Sequence, residues 1–220
     1  MATSSAVLQP ESTSPSPTNA RWVRRKRGLE VALVGVDGAG KTTIATALQG
    51  LAYPVKVIAM GSAHFRWLSM LQRSFPRLVL QLTIHCERML RRWLGFFLKC
   101  FGWIVIYDRH PLEQVNTKPM LVRHQINNWF FGLYGWPVDL TFWLTGNYQQ
   151  IYQRKREFTA ERLCILDERI ADVLAYRQID HLKVDVTDRS LEDVISSVIL
   201  QVSARYEAGL HYQIEPPPAE

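Results

Sequence analysis

Apolar and polar positions along the chain follow two alternating periods. Short apolar runs at residues 31–34, 55–60, 103–107, 138–144 and 181–186 are too brief for helices and rich in β-branched and aromatic residues, which predicts strands. Where such a run is continuous, as at Val31-Ala32-Leu33-Val34, it predicts a strand covered on both faces of a parallel sheet. Between the runs, apolar residues recur at spacings of three and four, predicting helices over about 42–48, 63–72, 77–101, 118–132, 148–158, 160–179 and 190–206. Leu191, Val194, Ile195, Val198, Ile199 and Val202 form the expected buried stripe of the last helix, and Thr159 stands where it can cap the helix before it. Strands alternating with helices predict one α/β domain with a parallel sheet.

Composition narrows the picture modestly. The chain has 220 residues, 47% of them hydrophobic, enough for one domain with a substantial core. Its 26 basic and 20 acidic residues leave a net charge of +6. Part of that excess lies in Arg21, Arg24, Arg25, Lys26 and Arg27, so an anionic small substrate accounts for the rest. Residues 1–28 read as a Ser/Pro-rich and basic disordered leader, residues 29–207 as the folded domain, and residues 208–220 as a polar tail. The basic leader leaves a nucleic-acid-associated role open as an alternative, although nucleic acid is not the expected partner. Cys86, Cys100 and Cys164 share no metal-ligand spacing and are expected as reduced, mostly buried thiols of a cytoplasmic protein. The apolar stretch at 78–107 is interrupted by Glu87, Arg88, Arg91, Arg92 and Lys99, so no membrane span is expected.

The chemistry concentrates at Gly35-Val36-Asp37-Gly38-Ala39-Gly40-Lys41-Thr42, which fits G-x-x-x-x-G-K-[ST] between a predicted strand and a predicted helix. Glycines allow the backbone to turn tightly and approach a polyphosphate, with N–H groups at the positive end of the following helix. Lys41 is expected to reach the β and γ oxygens and Thr42 to bind Mg²⁺, with Thr43 beside it. The strand at 103–107 ends in Asp108-Arg109, expected to emerge near this loop because ligands of parallel α/β sheets sit beyond the carboxyl ends of the strands. There Asp108 can hold Mg²⁺ and Arg109 can clamp a second phosphate, while His110 reads as structural. Glu87, Arg88, Arg91 and Arg92 form a charged cluster whose ordinary reading is a solvated helix face, with a substrate-facing Arg88 as the other. Asn127, Asn128 and Trp129 read as packing residues more readily than as acceptor-lining ones. The predicted helix over 148–158 carries Arg154, Lys155 and Arg156 toward the next helix, which suggests a mobile lid over about 148–162, against a solvated helix surface.

Taken together, residues 35–43, the strand ending in Asp108-Arg109, the Pro137-Val138-Asp139-Leu140 strand entry and the basic segment before Glu161-Arg162 resemble the thymidylate kinase family of P-loop nucleoside monophosphate kinases. The likeness runs over about residues 30–205. It implies a P-loop kinase fold with a five-stranded parallel sheet in 2-3-1-4-5 order, ATP and Mg²⁺ as cofactors, and γ-phosphoryl transfer to a small-molecule acceptor, a nucleoside monophosphate such as thymidine monophosphate. By that resemblance Asp37 approaches the acceptor's sugar hydroxyl and Arg109 its phosphate, and a homodimer is implied as possible. Because position 39 is alanine, the resemblance assigns the catalytic arginine to the lid, with Arg154 and Arg156 ahead of Arg162. The acceptor elements depart from the family's: Met60-Gly61-Ser62-Ala63 replaces an Arg-Glu-Pro-Gly-like turn, Ile84 stands where an aromatic residue stacks on the base, and His110-Pro111-Leu112-Glu113-Gln114 replaces a Ser-rich segment. A nucleoside or sugar acceptor, or a nucleotide-binding regulatory role, stays open beside the monophosphate.

Overall fold

A computed structural model of the chain describes residues 23–61, 77–115, 117 and 122–213. The helix expected at 63–72, the leader up to residue 22 and the tail from 214 fall outside them. Contacts divide the chain into residues 26–210 and a second unit made of the two chain ends.

Residues 26–210 carry five parallel strands: β1 (Leu29–Gly35), β2 (Val55–Ala59), β3 (Ile104–Asp108), β4 (Leu140–Thr145) and β5 (Leu182–Asp185). They are ordered β2-β3-β1-β4-β5, the 2-3-1-4-5 arrangement of the expected P-loop kinase fold. Helices α1 (Lys41–Leu48), α2 (Arg77–Cys100), α3 (Val122–Tyr134), α4 (Tyr148–Arg154), α5 (Ala160–Tyr176) and α6 (Leu191–Ala208) flank the sheet.

All seven residues of β1 are buried, so this strand needs apolar side chains on both faces. Alternation sorts them: Val31 and Leu33 join Ile44 and Leu48 of α1 and Val194, Val198 and Val202 of α6. Ala32 and Val34 face the opposite layer with Phe131 and Tyr134 of α3 and Ile170, Val173 and Leu174 of α5. Registers Leu33↔Asp108 and Gly35↔Leu144 bring the exits of β3, β1 and β4 side by side, which fixes where loops meet. Of the expected α6 stripe, Val194, Val198 and Val202 are buried, but Leu191 is 47% exposed because it opens the helix at the sheet's rim.

Several expectations change. Arg88 and Arg92 do not lie on a solvated face. Arg92 is fully buried and donates to Glu30 Oε1 and, at 2.5 Å, to the Tyr107 hydroxyl, with Trp136 O accepting at 3.2 Å. Its guanidinium lies 4.5 Å from the Tyr107 and Trp136 ring centroids, so ring faces and a carboxylate replace its water. Cys86 and Cys100 are exposed and Cys164 half-buried, since they occupy outward positions on α2 and α5. Trp129 is 62% exposed, held edge-on at 5.0 Å by Phe130 rather than packed in the core. The expected helix over 148–158 stops at Arg154. Val23–Lys26 and Leu210–Gln213, expected within leader and tail, pair as a two-stranded sheet that satisfies their backbone groups. No described helix is long and apolar enough to cross a membrane.

Candidate active site

The loop between β1 and α1 is shaped by backbone geometry that its glycines permit. Gly38 has φ 91°, and an added Cβ there would lie 3.1 Å from Ile151 Cγ2 and 3.2 Å from Ile151 O of α4. Gly40 is the N-cap of α1 with φ 87° and supplies no side-chain cap. The first N–H groups of α1 are therefore left to an outside acceptor at the positive end of the helix. Ala39, 1% exposed, closes the loop with its N–H on Val36 O at 3.2 Å.

Lys41 is buried and folds back over the loop, donating from Nζ to Gly35 O and, at 3.0 Å, to Val36 O. Asp37 Oδ1 and Glu113 Oε1 each lie 4.0 Å from the same nitrogen. Thr42, one residue on, donates its hydroxyl to Asp108 Oδ2 at 2.8 Å. The other carboxylate oxygen of Asp108 is buried and has no hydrogen-bond partner among the described residues. A buried, unpartnered carboxylate oxygen beside a threonine hydroxyl fits a hard divalent cation, so the donor set suits Mg²⁺. Arg109 follows with φ 66° and pairs with Asp37 Oδ1 at 2.7 Å. The sequence-predicted Asp37, Lys41, Thr42, Asp108 and Arg109 are thus brought together at the carboxyl ends of β1 and β3.

A cleft of about 470 Å³ opens above them, lined by Asp37, Gly38, Gly40, Lys41, Thr42, Thr43, Arg109, Arg154, Lys155 and Leu191. Asn147 caps α4 by accepting the N–H groups of Gln149 and Gln150 at 3.0 and 3.4 Å, and the helix then runs over Gly38. Arg154 ends it on the cleft wall, its guanidinium donating to Val186 O at 2.9 Å. Lys155 also lines the cleft, with Nζ 3.0 Å from Glu157. Arg156 is exposed and does not line this cleft. Arg162 lies in the first turn of α5, where the Thr159 hydroxyl accepts its backbone N–H at 3.3 Å, the expected cap.

Toward β2, Arg91 donates to Ala59 O and pairs with Glu87. An added Cβ on Gly61 would stand 3.1 Å from Arg109 Cδ, so the turn after β2 makes room for that arginine. Arg88 is buried between α2 and α3, hydrogen-bonded to the Tyr134 hydroxyl. His85, one turn earlier, stacks on Phe130 at 4.5 Å and bonds Tyr134 Oη at 2.9 Å and Asn127 Oδ1 at 3.1 Å. Burial, reinforced by Arg88, lowers its pKa. His110 is fully buried and its pKa is held well below the ordinary histidine value by desolvation and by Arg92, in keeping with a structural role.

Two acidic residues that sequence reasoning passed over matter here: Glu113 joins the loop, and Asp167 holds the start of α4. Glu113 sits in a short 3₁₀ turn, Pro111–Gln114, and its Oε1 accepts the Gly35 N–H at 3.1 Å. Burial pushes its pKa up to about 7, against the pull of Lys41, the Gly35 N–H and Arg109. Asp167 of α5 is 2% exposed and gathers donors from β4 and the start of α4. Neither has a local sequence signature; only a count of acidic residues near predicted buried positions points to them.

No known protein family and no curated protein matches the chain by sequence. Among solved structures, it is similar to deoxyadenosine kinase from M. mycoides, with a TM-score of 0.56 and 13% identity over 80% of this chain and 100% of that one. It is also similar to thymidylate kinase from Candida albicans, with a TM-score of 0.56 and 20% identity over 85% of this chain and 96% of that one. At such identities the likeness is one of architecture, and the strand order, the phosphate loop and these two neighbours together establish that the chain has the P-loop kinase fold.

Proposed function

We propose that the protein is an ATP- and Mg²⁺-dependent phosphotransferase that moves the γ-phosphoryl group of ATP to a nucleoside monophosphate, such as thymidine monophosphate, in the cytoplasm. The observation that carries this reading is the Thr42–Asp108 contact beside Lys41, with Arg109 across the loop. The Thr42 hydroxyl and the Asp108 carboxylate would hold Mg²⁺, which would supply charge neutralisation for the nucleotide's phosphates. The backbone N–H groups of the loop and of the first turn of α1 orient the chain of phosphates. Lys41 exchanges its two carbonyl partners for phosphate oxygens, which are stronger acceptors for an ammonium group. Arg154 leaves Val186 O when α4 swings inward and brings its charge to the equatorial oxygens of the transferring group. Arg109 takes the acceptor's phosphate and Asp37 its sugar hydroxyl. Arg156 and Arg88 act in this reading only if lid closure and acceptor binding carry them toward the cleft.

A nucleoside acceptor is the second reading, favoured by the equal structural similarity to an enzyme whose name states deoxyadenosine as its substrate. The test is ATP consumption by the purified chain with Mg²⁺ against thymidine monophosphate, other nucleoside monophosphates, deoxynucleosides and simple sugars. Turnover with monophosphates is expected, reduced about a hundredfold or more by Lys41→Ala. Turnover with nucleosides alone replaces the first reading by the second. Unchanged turnover in Lys41→Ala, or none with any acceptor, refutes phosphotransfer by this loop.

A further inference from the structure

Glu113 lies beneath the phosphate loop, in reach of the lysine that phosphotransfer requires. Its place is fixed from several sides. Leu112 and Val115 on either side of it are buried in the core, and Arg169 of α5 donates to Val115 O at 3.1 and 3.3 Å. The groups facing its carboxylate are the Gly35 N–H from β1, Lys41 from α1, Asp37 from the loop and Arg109 from the end of β3. Among the described residues, Lys41 is the cation in ion-pair range, at 4.0 Å, while Arg109 is engaged by Asp37 at 2.7 Å.

We propose that Glu113 is a positioning residue that competes with the nucleotide's phosphates for Lys41, and that this competition sets nucleotide affinity. The inference rests on the phosphotransfer reading above, in which Lys41 must swing from the loop to the phosphates. When it does so, the half-buried carboxylate loses its counter-charge while a polyanion arrives nearby. The ionised form of Glu113 therefore opposes binding and the protonated form does not, so nucleotide binding draws a proton onto Glu113. Two contacts separate its roles: the hydrogen bond from Gly35 N needs only an oxygen, whereas the hold on Lys41 needs a charge. Glutamine keeps the first and removes the second; alanine removes both.

The experiment measures binding of Mg·ATP without acceptor to the full chain and to Glu113→Gln and Glu113→Ala at pH 6 and pH 8. The informative quantity is the ratio of wild-type to Gln Kd, in which ATP's own ionisation cancels. That ratio is expected to be about fivefold in favour of Gln at pH 8 and below about twofold at pH 6; a carboxyl titrating near 7 caps the change at about tenfold. Calorimetry in two buffers of different ionisation enthalpy at pH 7 is expected to show proton uptake by the wild type that Gln lacks. Alanine is expected to bind more weakly than Gln at both pH values. Equal Kd values for wild type and Gln at both pH values overturn the proposal, and so does a Gln variant as weak as Ala, which would make the role purely structural. Turnover is measured beside binding: a persisting Gln effect without turnover on any acceptor counts against phosphotransfer alone, and normal turnover with no Gln effect counts against the Glu113 proposal alone.

Discussion

Asp167 provides the sharpest test of how the proposed lid is anchored. Its carboxylate is buried with no cation in ion-pair range among the described residues, so its charge is held by neutral donors alone. Trp143 Nε1 donates at 2.9 Å, the Thr145 hydroxyl at 2.6 Å and the Tyr148 hydroxyl at 3.0 Å. Trp143 and Thr145 belong to β4, Tyr148 opens α4, and Asp167 belongs to α5, so this one group ties the base of the proposed lid to the sheet. Burial, and then Asp167, push the Tyr148 phenol up to about 12, which keeps it a donor across the working pH range. Asp167→Asn preserves shape but replaces Oδ2, the acceptor for both hydroxyls, by an amide donor. Two hydrogen bonds to a charged group, worth about 1.5–3 kcal/mol each, become weaker neutral ones with the hydroxyls turned round. Relief from burying a charge offsets part of the loss, leaving a net destabilisation of about 2–3 kcal/mol. Tyr148→Phe removes one of the bonds and should cost about 1.5–3 kcal/mol. Urea unfolding at pH 7 measures both, and the double variant should cost less than the sum because the two residues share a contact. In the proposed reaction Tyr148→Phe should lower kcat while leaving ATP affinity within about twofold, since closure rather than the loop is disturbed. An Asp167→Asn variant within about 0.5 kcal/mol of wild type would refute the reasoning.

The buried pair Glu30–Arg92 makes a second stability prediction. Glu30→Gln strands a guanidinium that is fully buried and should cost about 3–5 kcal/mol in urea unfolding, whereas Glu30→Leu with Arg92→Met together should cost less than either change alone; additive losses would contradict this. The outward side of α2 makes a prediction about assembly. Leu90, Trp93, Leu94 and Phe97 are 67, 44, 49 and 54% exposed in one stripe, the natural surface for the homodimer that the resemblance implies. Light scattering should give twice the chain mass, reduced to the single mass by Leu94→Lys with Phe97→Lys; a wild-type monomer at all concentrations removes the dimer from the reading.

The parts of this molecule that were legible in its sequence are those whose cause is local. A buried parallel strand must be continuously apolar, so β1 and β3 announce themselves, and a loop that cradles phosphate must place glycines and a lysine within eight positions. What stayed hidden depends on distant partners. The charge pattern of α2 assigns Arg92 to solvent, and only the arrival of Glu30, Tyr107 and Trp136 makes its burial tolerable. The cysteines failed in the opposite sense: their type favours the interior, but helix phase turned them outward. Arg88 was legible as unusual and illegible in direction, because its hydroxyl partner Tyr134 comes from a helix more than forty positions later.

The register between β1 and β3 joins the legible part to the hidden one. Pairing Leu33 with Asp108 ends β3 two residues before the end of β1, so the chain leaving β3 passes beneath the phosphate loop. Asp108 then meets Thr42, Arg109 meets Asp37, and Glu113 reaches both Gly35 N and the neighbourhood of Lys41. Four contacts between two segments more than sixty positions apart follow from one backbone alignment. A slip of one residue would turn Asp108 to the opposite face of the sheet and separate it from Thr42. The hydrophobic pairs that lock this register, Leu29 with Ile104 and Val31 with Ile106, are therefore as necessary to the proposed metal site as its ligands.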